Sequence, residues 1–365
     1  MLSANFGNCT RRLLKGNVVK PTLGLVGFFG RGNCGDEAIL QCIYEAFREE
    51  FDIVIVVDEV GAIPGWWDLY PYSECERVHY GNFHYFMRPM AGIIVGGGGL
   101  GIGYGASHAI CARSVGTPTA LAGVDYTHFE AQRSEIFAKV SADYYALFDY
   151  AAVRSQRSVE FALQDGIAGV RHGADWALLL PTDESPEIDI DDSRVLLTLR
   201  HWEESFLASD YPDQIRALLK AVRDAGYSPV FLPFCEADQT FLTEMDLADE
   251  APLKRTWWNP RRVKQIIASS RMMLSVGRLH PVVIAAAAGT PALQIRTPLS
   301  VFMGTSKLED QAEELQLPQA SIADAIAVIS AGGPDFTEDA SRSVQAARSR
   351  LEATVAELRD LFLNH

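Results

Sequence analysis

The chain has 365 residues, 48% of them hydrophobic and 22% charged, with a net charge of −15, which suits two globular domains of roughly 150–200 residues each and excludes a disordered chain. The acidic surface disfavours nucleic acid and anionic lipid as extended partners. Six scattered cysteines, no signal-peptide pattern and no apolar run of ~18 residues predict a cytoplasmic protein with free thiols and no transmembrane segment.

The first half of the chain alternates strand-like and helix-like segments after a basic lead-in at 1–20. GLVGFFG is a short apolar strand that ends in glycine, and residues 36–47 place apolar side chains three and four apart, as on one face of a helix. FDIVIVVDE is apolar without alternation, as in a strand buried on both faces, and AGIIVGGGG is another strand followed by glycines. This order predicts a parallel sheet with crossover helices.

The second half repeats this order beyond PTDESPEIDIDDS, whose acids and prolines are typical of a linker or of a solvated loop. Strands are predicted in RVLLTLR, SPVFLPF, RMMLSV and PALQI, and helices over 215–225, 260–269, 281–288 and 338–363. We therefore predict an α/β protein with two Rossmann-like domains whose parallel sheets face a cleft. The predicted divisions are a lead-in at 1–20, an N-terminal domain at 21–186, a C-terminal domain at 187–335 and a C-terminal helix at 336–365.

The first loop with candidate ligand-binding residues is GFFGRGNCGDEAIL, which joins a strand to a helix. Ligands of open α/β sheets bind at the carboxyl ends of strands. Here Gly30, Gly32 and Gly35 would let an anion approach the backbone N–H groups at the helix start. Two alternatives stand beside a phosphate or carboxylate site: a dinucleotide whose ribose is held by Asp58, or an Asp36 that only caps the helix.

Three further loops also follow predicted strands. GGGGLGIGYG contains Gly97 and Gly98, and four consecutive glycines favour a loop that faces a ligand over a simple turn. VRSQRS carries two arginines at a strand end, an arrangement suited to binding an anion, and SVGRLHPVV carries an arginine and a histidine just before a helix that starts with proline. These residues are Arg154, Arg157, Arg278 and His280.

Other strand-end residues are weaker candidates. Arg200 and His201 follow RVLLTLR's apolar core, and Arg296 follows PALQI. Trp257 and Trp258 would stack on a sugar, although packing in the core is the favoured interpretation. The sequence contains no zinc-protease motif, no G-x-S-x-G, no Walker A lysine and no cluster of metal ligands, so we expect no metal and no cofactor.

In this order and rough spacing, the four loops resemble the motifs of the polysaccharide pyruvyl transferase family. GFFGRGNCGDEAIL is similar to the family's G-N-x-G-D-E-A-I segment, and IIVGGGGL to its second glycine loop. VRSQRSVEFALQDGI with the later GADWALLL resembles its arginine–serine segment and following aspartate, and SVGRLHPVVIAAAAGTP its S-x-R-x-H helix entry. The resemblance extends over about residues 22–298.

The resemblance implies a glycosyltransferase-B-like pair of domains with phosphoenolpyruvate as donor substrate. Members attach pyruvate as a ketal to a sugar of a surface or exopolysaccharide, usually on a lipid-linked precursor at the inner face of the membrane. On matching positions, Asn33 and Asp36 would lie near the acceptor hydroxyls, and Arg154 would be a general acid or a phosphate ligand. Arg278 and His280 would hold the phosphate and carboxylate of the donor.

The chemistry of ketal formation refines these implied roles. It needs a base for the sugar hydroxyl, an acid for C3 of the donor and fixed positive charge for the departing phosphate. We expect Asp36 to be the base, and we favour His280 over Arg154 as the acid, because an arginine at its usual pKa is a poor acid. The remaining candidates for substrate binding are Gly32, Asn33, Gly35, Gly97, Gly98, Arg157, Arg200, Arg278 and Arg296.

The chain also departs from the family pattern. LAGVDYT stands where many members have a G-Q-G segment. IRTPLSVFMG stands where many members have a Y-D-x-K stretch near the end, which leaves Arg296, Lys307 or no residue to replace that lysine. Three alternatives remain open: a nucleotide-sugar glycosyltransferase of the same fold, a non-catalytic sugar-binding protein and, more remotely, a dinucleotide oxidoreductase. A homo-oligomer is also compatible with the sequence.

Overall fold

A computed structural model describes residues 20–57, 75–126, 134–182, 189–201, 210–247, 253, 256–297 and 306–365. Residues 1–19 of the predicted lead-in and Asp58 lie outside these residues. The predicted domain boundary between residues 186 and 187 does so as well.

The first sheet consists of seven parallel strands in the order β3-β2-β1-β4-β5-β6-β7. Because β1 pairs with both β2 and β4, the strand order reverses between β1 and β4, and in open α/β sheets the crevice at that reversal is the usual ligand position. The strands are β1 (Thr22–Val26), β2 (Asp52–Val57), β3 (Glu76–His79), β4 (Gly92–Gly98), β5 (Thr119–Val124), β6 (Tyr150–Val153) and β7 (Arg171–His172).

The second sheet has five parallel strands in the order β12-β11-β10-β8-β9, and its strand order reverses between β8 and β10. The strands are β8 (Asp191–Leu199), β9 (Ser228–Phe231), β10 (Ser270–Val276), β11 (Ala292–Ile295) and β12 (Gln319–Ala320). Two parallel sheets connected by helices confirm the predicted α/β class with two Rossmann-like units.

Helices connect most consecutive strands. They are α1 (Cys34–Phe47), α2 (Ala106–Ser114), α3 (Glu135–Tyr145), α4 (Gln156–Gln164), α5 (Tyr211–Asp224), α6 (Glu236–Glu244), α7 (Pro260–Ala268), α8 (His280–Ala288), α9 (Ser306–Glu314), α10 (Ile322–Ser330) and α11 (Glu338–Leu363). Within the described part of the chain, no helix combines the length and apolarity needed to cross a membrane.

One apolar core fills the space between the two sheets. It contains residues of β1 and β4 from the first sheet, of β8 and β10 from the second, and of α1, α7 and α8 between them. The C-terminal helix α11 crosses back to the first sheet, where the Phe362 ring packs edge-to-face against Phe47 and Phe51. The strand reversals of the two sheets are therefore held opposite each other by packing that both units share.

Candidate active site

A cavity of about 210 Å³ lies where loops from the carboxyl ends of both sheets meet. The first sheet and its loops contribute Phe28, Asn33, Asp36, Gly99, Leu100 and Arg154. The second sheet and the helix after it contribute Arg200, Phe234, Arg278, Leu279, His280, Lys307 and Leu308. The structure thus brings the three predicted catalytic residues, Asp36, Arg154 and His280, into one cavity with Asn33, Arg200 and Arg278.

The start of α1 is capped by Asn33, whose side chain accepts a hydrogen bond from the Gly35 amide at 3.2 Å. The alternative in which Asp36 only caps the helix is therefore wrong, and its carboxylate lines the cavity instead. The Cys34 amide donates to the Phe234 carbonyl at 2.8 Å, which joins α1 to the loop after β9. Burial raises the pKa of Asp36 above its usual value, while the neighbouring cations His280, Lys307 and Arg278 oppose the shift.

The amides of the first glycine loop have a partner within the chain. The Gly30 and Gly32 N–H groups donate to the Glu37 carboxyl at 2.9 and 3.3 Å. Glu37 is fully buried, and burial, followed by the charge of Asp36, raises its pKa to about 8. The amides that the sequence offers to a phosphate therefore bind a side chain of α1, which corrects the expected role of Gly32 as a ligand contact.

Gly32 and Gly35 are required by close packing instead. A Cβ on Gly35 would lie 2.0 Å from Nδ1 of His280, and a Cβ on Gly32 would lie 2.6 Å from the Trp258 ring. These contacts bring α1 against residues that follow strands of the second sheet. They also place Trp258, like the buried Trp257, in the packing role that the sequence favoured.

The second glycine loop combines packing with room for cavity side chains. Gly97 has a φ of +91°, and a Cβ there would lie 2.3 Å from Ile39 of α1. A Cβ on Gly98 would lie 2.8 Å from Oδ1 of Asp36, and one on Gly99 would lie 2.9 Å from Nζ of Lys307. Gly97 and Gly98 do not line the cavity; this loop makes space for the charged groups that do.

Arg154 is held at the end of β6 by two buried carboxylates. Its Nε donates to Asp125 at 2.8 Å, one terminal nitrogen donates to Asp175 at 2.6 Å, and the other makes a further short contact with Asp125. Burial disfavours the charged guanidinium, but the two carboxylates outweigh it and raise the Arg154 pKa above its usual value. Arg154 therefore stays protonated, which is unfavourable for a proton donor and suits fixed positive charge.

His280 begins α8 and faces the first sheet. Its Nε2 lies 3.5 Å from Oδ2 of Asp175, too far for a strong hydrogen bond, and this buried nitrogen has no hydrogen-bond partner among the described residues. Burial opposes ionisation of Asp175, but the charges of His280 and Arg154 hold its pKa below the usual range. Asp175 thus lies against both His280, the predicted proton donor, and Arg154, which carries fixed positive charge.

Arg278 is fixed by a second carboxylate. A terminal nitrogen of Arg278 donates to Asp238 at 2.5 Å and to Sγ of Cys235 at 2.8 Å, while its buried Nε has no partner within the described residues. Asp238 also accepts from the amides of Phe234 at 3.0 Å and His201 at 3.2 Å. This terminal nitrogen is therefore anchored, while the N–H group of Nε is left without a partner among the described residues.

Two predicted arginines lie outside the cavity. Arg157 pairs with Asp310 at 2.9 Å and Arg296 pairs with Glu309 at 3.3 Å, and each arginine side chain is 45% exposed. Both partners lie on α9, so these arginines face that helix and not the cavity. Lys307, at the start of the same helix, does line the cavity.

Several residues that shape this site could not be selected on functional grounds from the sequence. Asp125 follows β5, and Asp238 lies in the first turn of α6, behind Arg154 and Arg278 respectively. A polar residue directly after an apolar strand was the available signal for Asp125. Glu37 carried no such signal, because its partners are backbone amides. No group of three or more His, Cys, Asp or Glu side chains in the described ranges is placed to hold a metal ion.

The model of one family matches most of the chain. The polysaccharide pyruvyl transferase model covers residues 33–296, from the cap of α1 to the end of β11. The chain belongs to the polysaccharide pyruvyl transferase family. The matched range includes four loops that line the cavity of this pyruvyl transferase family member, those after β4, β6, β8 and β10. No curated protein sequence matches the chain.

Several solved structures have folds similar to that of this chain. HepE from Anabaena in complex with UDP and glucose has a TM-score of 0.58 at 11% identity, over 93% of this chain and 99% of that chain. UGT89C1 from Arabidopsis thaliana with UDP has a TM-score of 0.58 at 10% identity, over 93% and 100%. MurG from Acinetobacter baumannii has a TM-score of 0.54 at 10% identity, over 93% and 99%. At these identities the likeness shows the fold alone and confirms the glycosyltransferase-B-like arrangement.

Proposed function

We propose that this family member transfers the enolpyruvyl carbons of phosphoenolpyruvate to two hydroxyls of a sugar, forming a pyruvate ketal on a polysaccharide or its lipid-linked precursor. The observation that carries the proposal is the cavity in which Arg154, Arg278, His280 and Lys307 surround the carboxylate of Asp36. Such a cavity suits a small donor with a phosphate and a carboxylate, because charge-assisted hydrogen bonds to both groups are available.

The reaction places defined demands on these residues. C3 of the donor gains a proton, two sugar oxygens form bonds to C2, and the bond from C2 to the phosphate oxygen breaks. One hydroxyl proton of the diol balances the proton on C3, and the other balances the departing phosphate. The site must therefore supply one proton donor, one base and positive charge that stabilises the leaving group.

Asp36 is the proposed base. Its raised pKa makes the carboxylate a stronger acceptor of a hydroxyl proton than an exposed aspartate, while the surrounding cations favour its ionised form. Asn33 lines the same side of the cavity, although its side chain is engaged in capping α1. We place the acceptor hydroxyls on this side.

His280 is the proposed proton donor to C3. Its Nε2 lies 3.5 Å from Asp175 and has no hydrogen-bond partner in the described part of the chain, and imidazole is the usual proton carrier of enzymes near neutral pH. Arg154 contributes fixed charge, since two carboxylates keep it protonated. The Nε N–H group of Arg278 binds an anionic group of the donor.

Ligand-dependent thermal stability tests this proposal directly. A ligand that binds only the folded protein stabilises it by ~2.7 kcal/mol at a hundredfold excess over Kd. We expect phosphoenolpyruvate to raise the Tm, and UDP, UDP-N-acetylglucosamine and NAD to have no effect. An increase with the UDP compounds and none with phosphoenolpyruvate would contradict the proposal.

The second candidate is a nucleotide-sugar glycosyltransferase. The similarity to HepE, whose structure contains UDP and glucose, favours it at the level of the fold. The engagement of the Gly30 and Gly32 amides by Glu37 counts against it, because those amides are not free to bind a pyrophosphate. Hydrolysis of a UDP-sugar by the purified protein would establish this alternative.

A further inference from the structure

Lys307 reaches the cavity from α9, a helix in which its neighbours pair with surface arginines. Its amine lies so close to Gly99 that a Cβ there would be 2.9 Å from Nζ. The packing of Gly97 against α1 therefore does not account for all the glycines of the second loop, since Gly99 is needed for the approach of Lys307. It leaves room for a long cationic side chain between the two sheets.

Lys307 differs from the two arginines Arg154 and Arg278 of the cavity in that it is not held by a carboxylate in a close ion pair. Arg154 is bound by Asp125 and Asp175, and Arg278 by Asp238. By contrast, no hydrogen bond or ion pair joins Lys307 to a residue that the structure describes, and the carboxylates of Asp125 and Asp36 act on its charge only from a greater distance. A partly buried ammonium group that is not held in a close ion pair leaves positive charge in the cavity that an incoming anion can neutralise.

We propose that Lys307 binds the donor directly and that its ammonium group, together with the nearby Arg200, forms the subsite for the donor's phosphate group. This inference rests on the proposed function in taking the donor to be phosphoenolpyruvate. A lysine is a compact point charge that suits a tetrahedral phosphate, whereas the planar guanidinium of Arg278 suits the carboxylate.

The pKa of Lys307 reflects its burial among the other charged groups of the cavity. Burial lowers its pKa to about 8; the positive charges of Arg154 and Arg200 add to this shift, and the carboxylates Asp125 and Asp36 oppose it. Arg278 and His280 line the same cavity from the loop after β10. A bound phosphate would favour the protonated amine, so binding should take up a proton near pH 8.

The sign of the pH dependence follows from this. Below pH 8 the amine is charged and the subsite is complete, and above it the affinity should fall about tenfold for each pH unit. A phosphate monoester stays dianionic above its second pKa of about 6, so the ligand itself does not change across this range. Lys307→Arg should bind without this decline, because a guanidinium remains protonated.

The experiment is calorimetric titration of the full chain with phosphoenolpyruvate between pH 7 and 9.5, and with inorganic phosphate and pyruvate at pH 7. Loss of one charge-assisted hydrogen bond predicts that Lys307→Met weakens phosphate and phosphoenolpyruvate binding on the order of ten- to a hundredfold at pH 7. Pyruvate, which lacks the phosphate, should bind to this variant as it does to the wild type. Lys220→Met, which removes an exposed lysine of α5 paired with Asp224, is the matched control.

The outcomes separate this inference from the proposed function. Wild-type-like phosphate affinity in folded Lys307→Met, or a loss confined to pyruvate, would overturn the phosphate subsite, as would the absence of phosphate binding to the wild type at millimolar concentration. Lys307-dependent phosphate binding without transfer from phosphoenolpyruvate to any sugar would leave the subsite standing and remove pyruvyl transfer. Unfolding curves without ligand show whether each variant is folded, and retained binding by Lys307→Arg confirms that the charge is what matters.

Discussion

At the scale of single residues, three buried carboxylates lie behind the cations of the cavity. Asp125, Asp175 and Asp238 are each at most 4% exposed, and each contacts an arginine that lines the cavity. Paired in this way, the guanidinium groups keep their orientation without a ligand. The arrangement holds Arg154 and Arg278 in fixed geometry before the donor arrives, which is the preorganisation that electrostatic catalysis requires.

Replacement of Arg154 tests this pairing. Arg154→Met leaves Asp125 and Asp175 buried without their main counterion, so we expect a loss of ~3–5 kcal/mol in the free energy of unfolding. Arg113→Met is the matched control, because Arg113 and Asp149 form an ion pair of 2.9 Å that is 41% and 40% exposed, and such pairs contribute ~1 kcal/mol or less. Urea unfolding measures both changes. Similar losses in the two variants would show that Arg154 does not stabilise the buried carboxylates.

Replacement of His280 tests the proposed proton donor. His280→Gln keeps a polar side chain of similar size, and we expect turnover to fall on the order of 10²- to 10⁴-fold, as for loss of a general acid. Phosphate release from phosphoenolpyruvate in the presence of acceptor measures turnover, and calorimetry measures donor affinity. The exposed His84 provides the control variant His84→Gln. Near-normal turnover by His280→Gln would remove His280 from the mechanism.

At the scale of secondary-structure elements, the strand-to-helix unit of β1 and α1 contains its own hydrogen-bond acceptor for the loop amides. The Glu37 carboxyl accepts the loop amides that an external phosphate would otherwise use. This exchange fixes the loop, and it leaves Asp36, one residue earlier, to line the cavity. The element therefore contributes a carboxylate to the reaction and not a phosphate cradle.

The buried Glu37 predicts an unusual dependence of stability on pH. Its pKa is raised to about 8 in the folded protein, so the folded state holds this proton more tightly than the unfolded state. Stability should therefore fall as the pH rises from about 4.5 to about 8, at ~1.4 kcal/mol for each unit of pKa difference. Glu37→Gln retains a carbonyl that accepts from Gly30 and Gly32 but has no proton to lose.

Urea unfolding between pH 5 and pH 9 compares this variant with the wild type. We expect the decline in the free energy of unfolding across this range to be smaller in Glu37→Gln, by on the order of a few kcal/mol. Asp36→Asn provides a second comparison, since burial raises the pKa of Asp36 as well. Identical pH profiles for Glu37→Gln and the wild type would show that Glu37 is ionised across the whole range.

The elements were largely predictable from the sequence, and the contacts between them were not. Apolar periodicity predicted residues 36–47 as helix, and the structure extends it back to Cys34, because Asn33 caps it. Strand-end position correctly brought Arg154, Arg278 and His280 together, since parallel strands present their carboxyl ends at one edge. The same rule misplaced Arg157 and Arg296, because it does not say which way a side chain turns after the strand ends.

At the scale of the whole molecule, the cavity depends on two sheets that share one core. Lys264 of α7 donates to the Leu180 carbonyl at 2.5 Å, and Arg348 of α11 donates to the carbonyls of Leu178 and Ala287 at 3.1 and 2.7 Å. Asp36 belongs to the first unit and His280 to the second, so their distance across the cavity depends on these contacts. Substitutions far from the cavity should therefore affect activity through the relative position of the sheets.

The end of α11 offers a matched pair of substitutions for this idea. Phe362 is 4% exposed, and its ring lies so close to Gly92 at the start of β4 that a Cβ there would be 2.2 Å away, whereas Leu363 is 53% exposed. Phe362→Ala should lower the free energy of unfolding by ~3–5 kcal/mol through loss of apolar burial and the cavity it leaves, and Leu363→Ala by ~0.5 kcal/mol or less. Urea unfolding measures both losses of stability. The donor affinity of Phe362→Ala, at a temperature where the variant remains folded, shows whether the active-site cavity keeps its geometry. Equal stability of the two variants would mean that α11 does not hold the first sheet to the second.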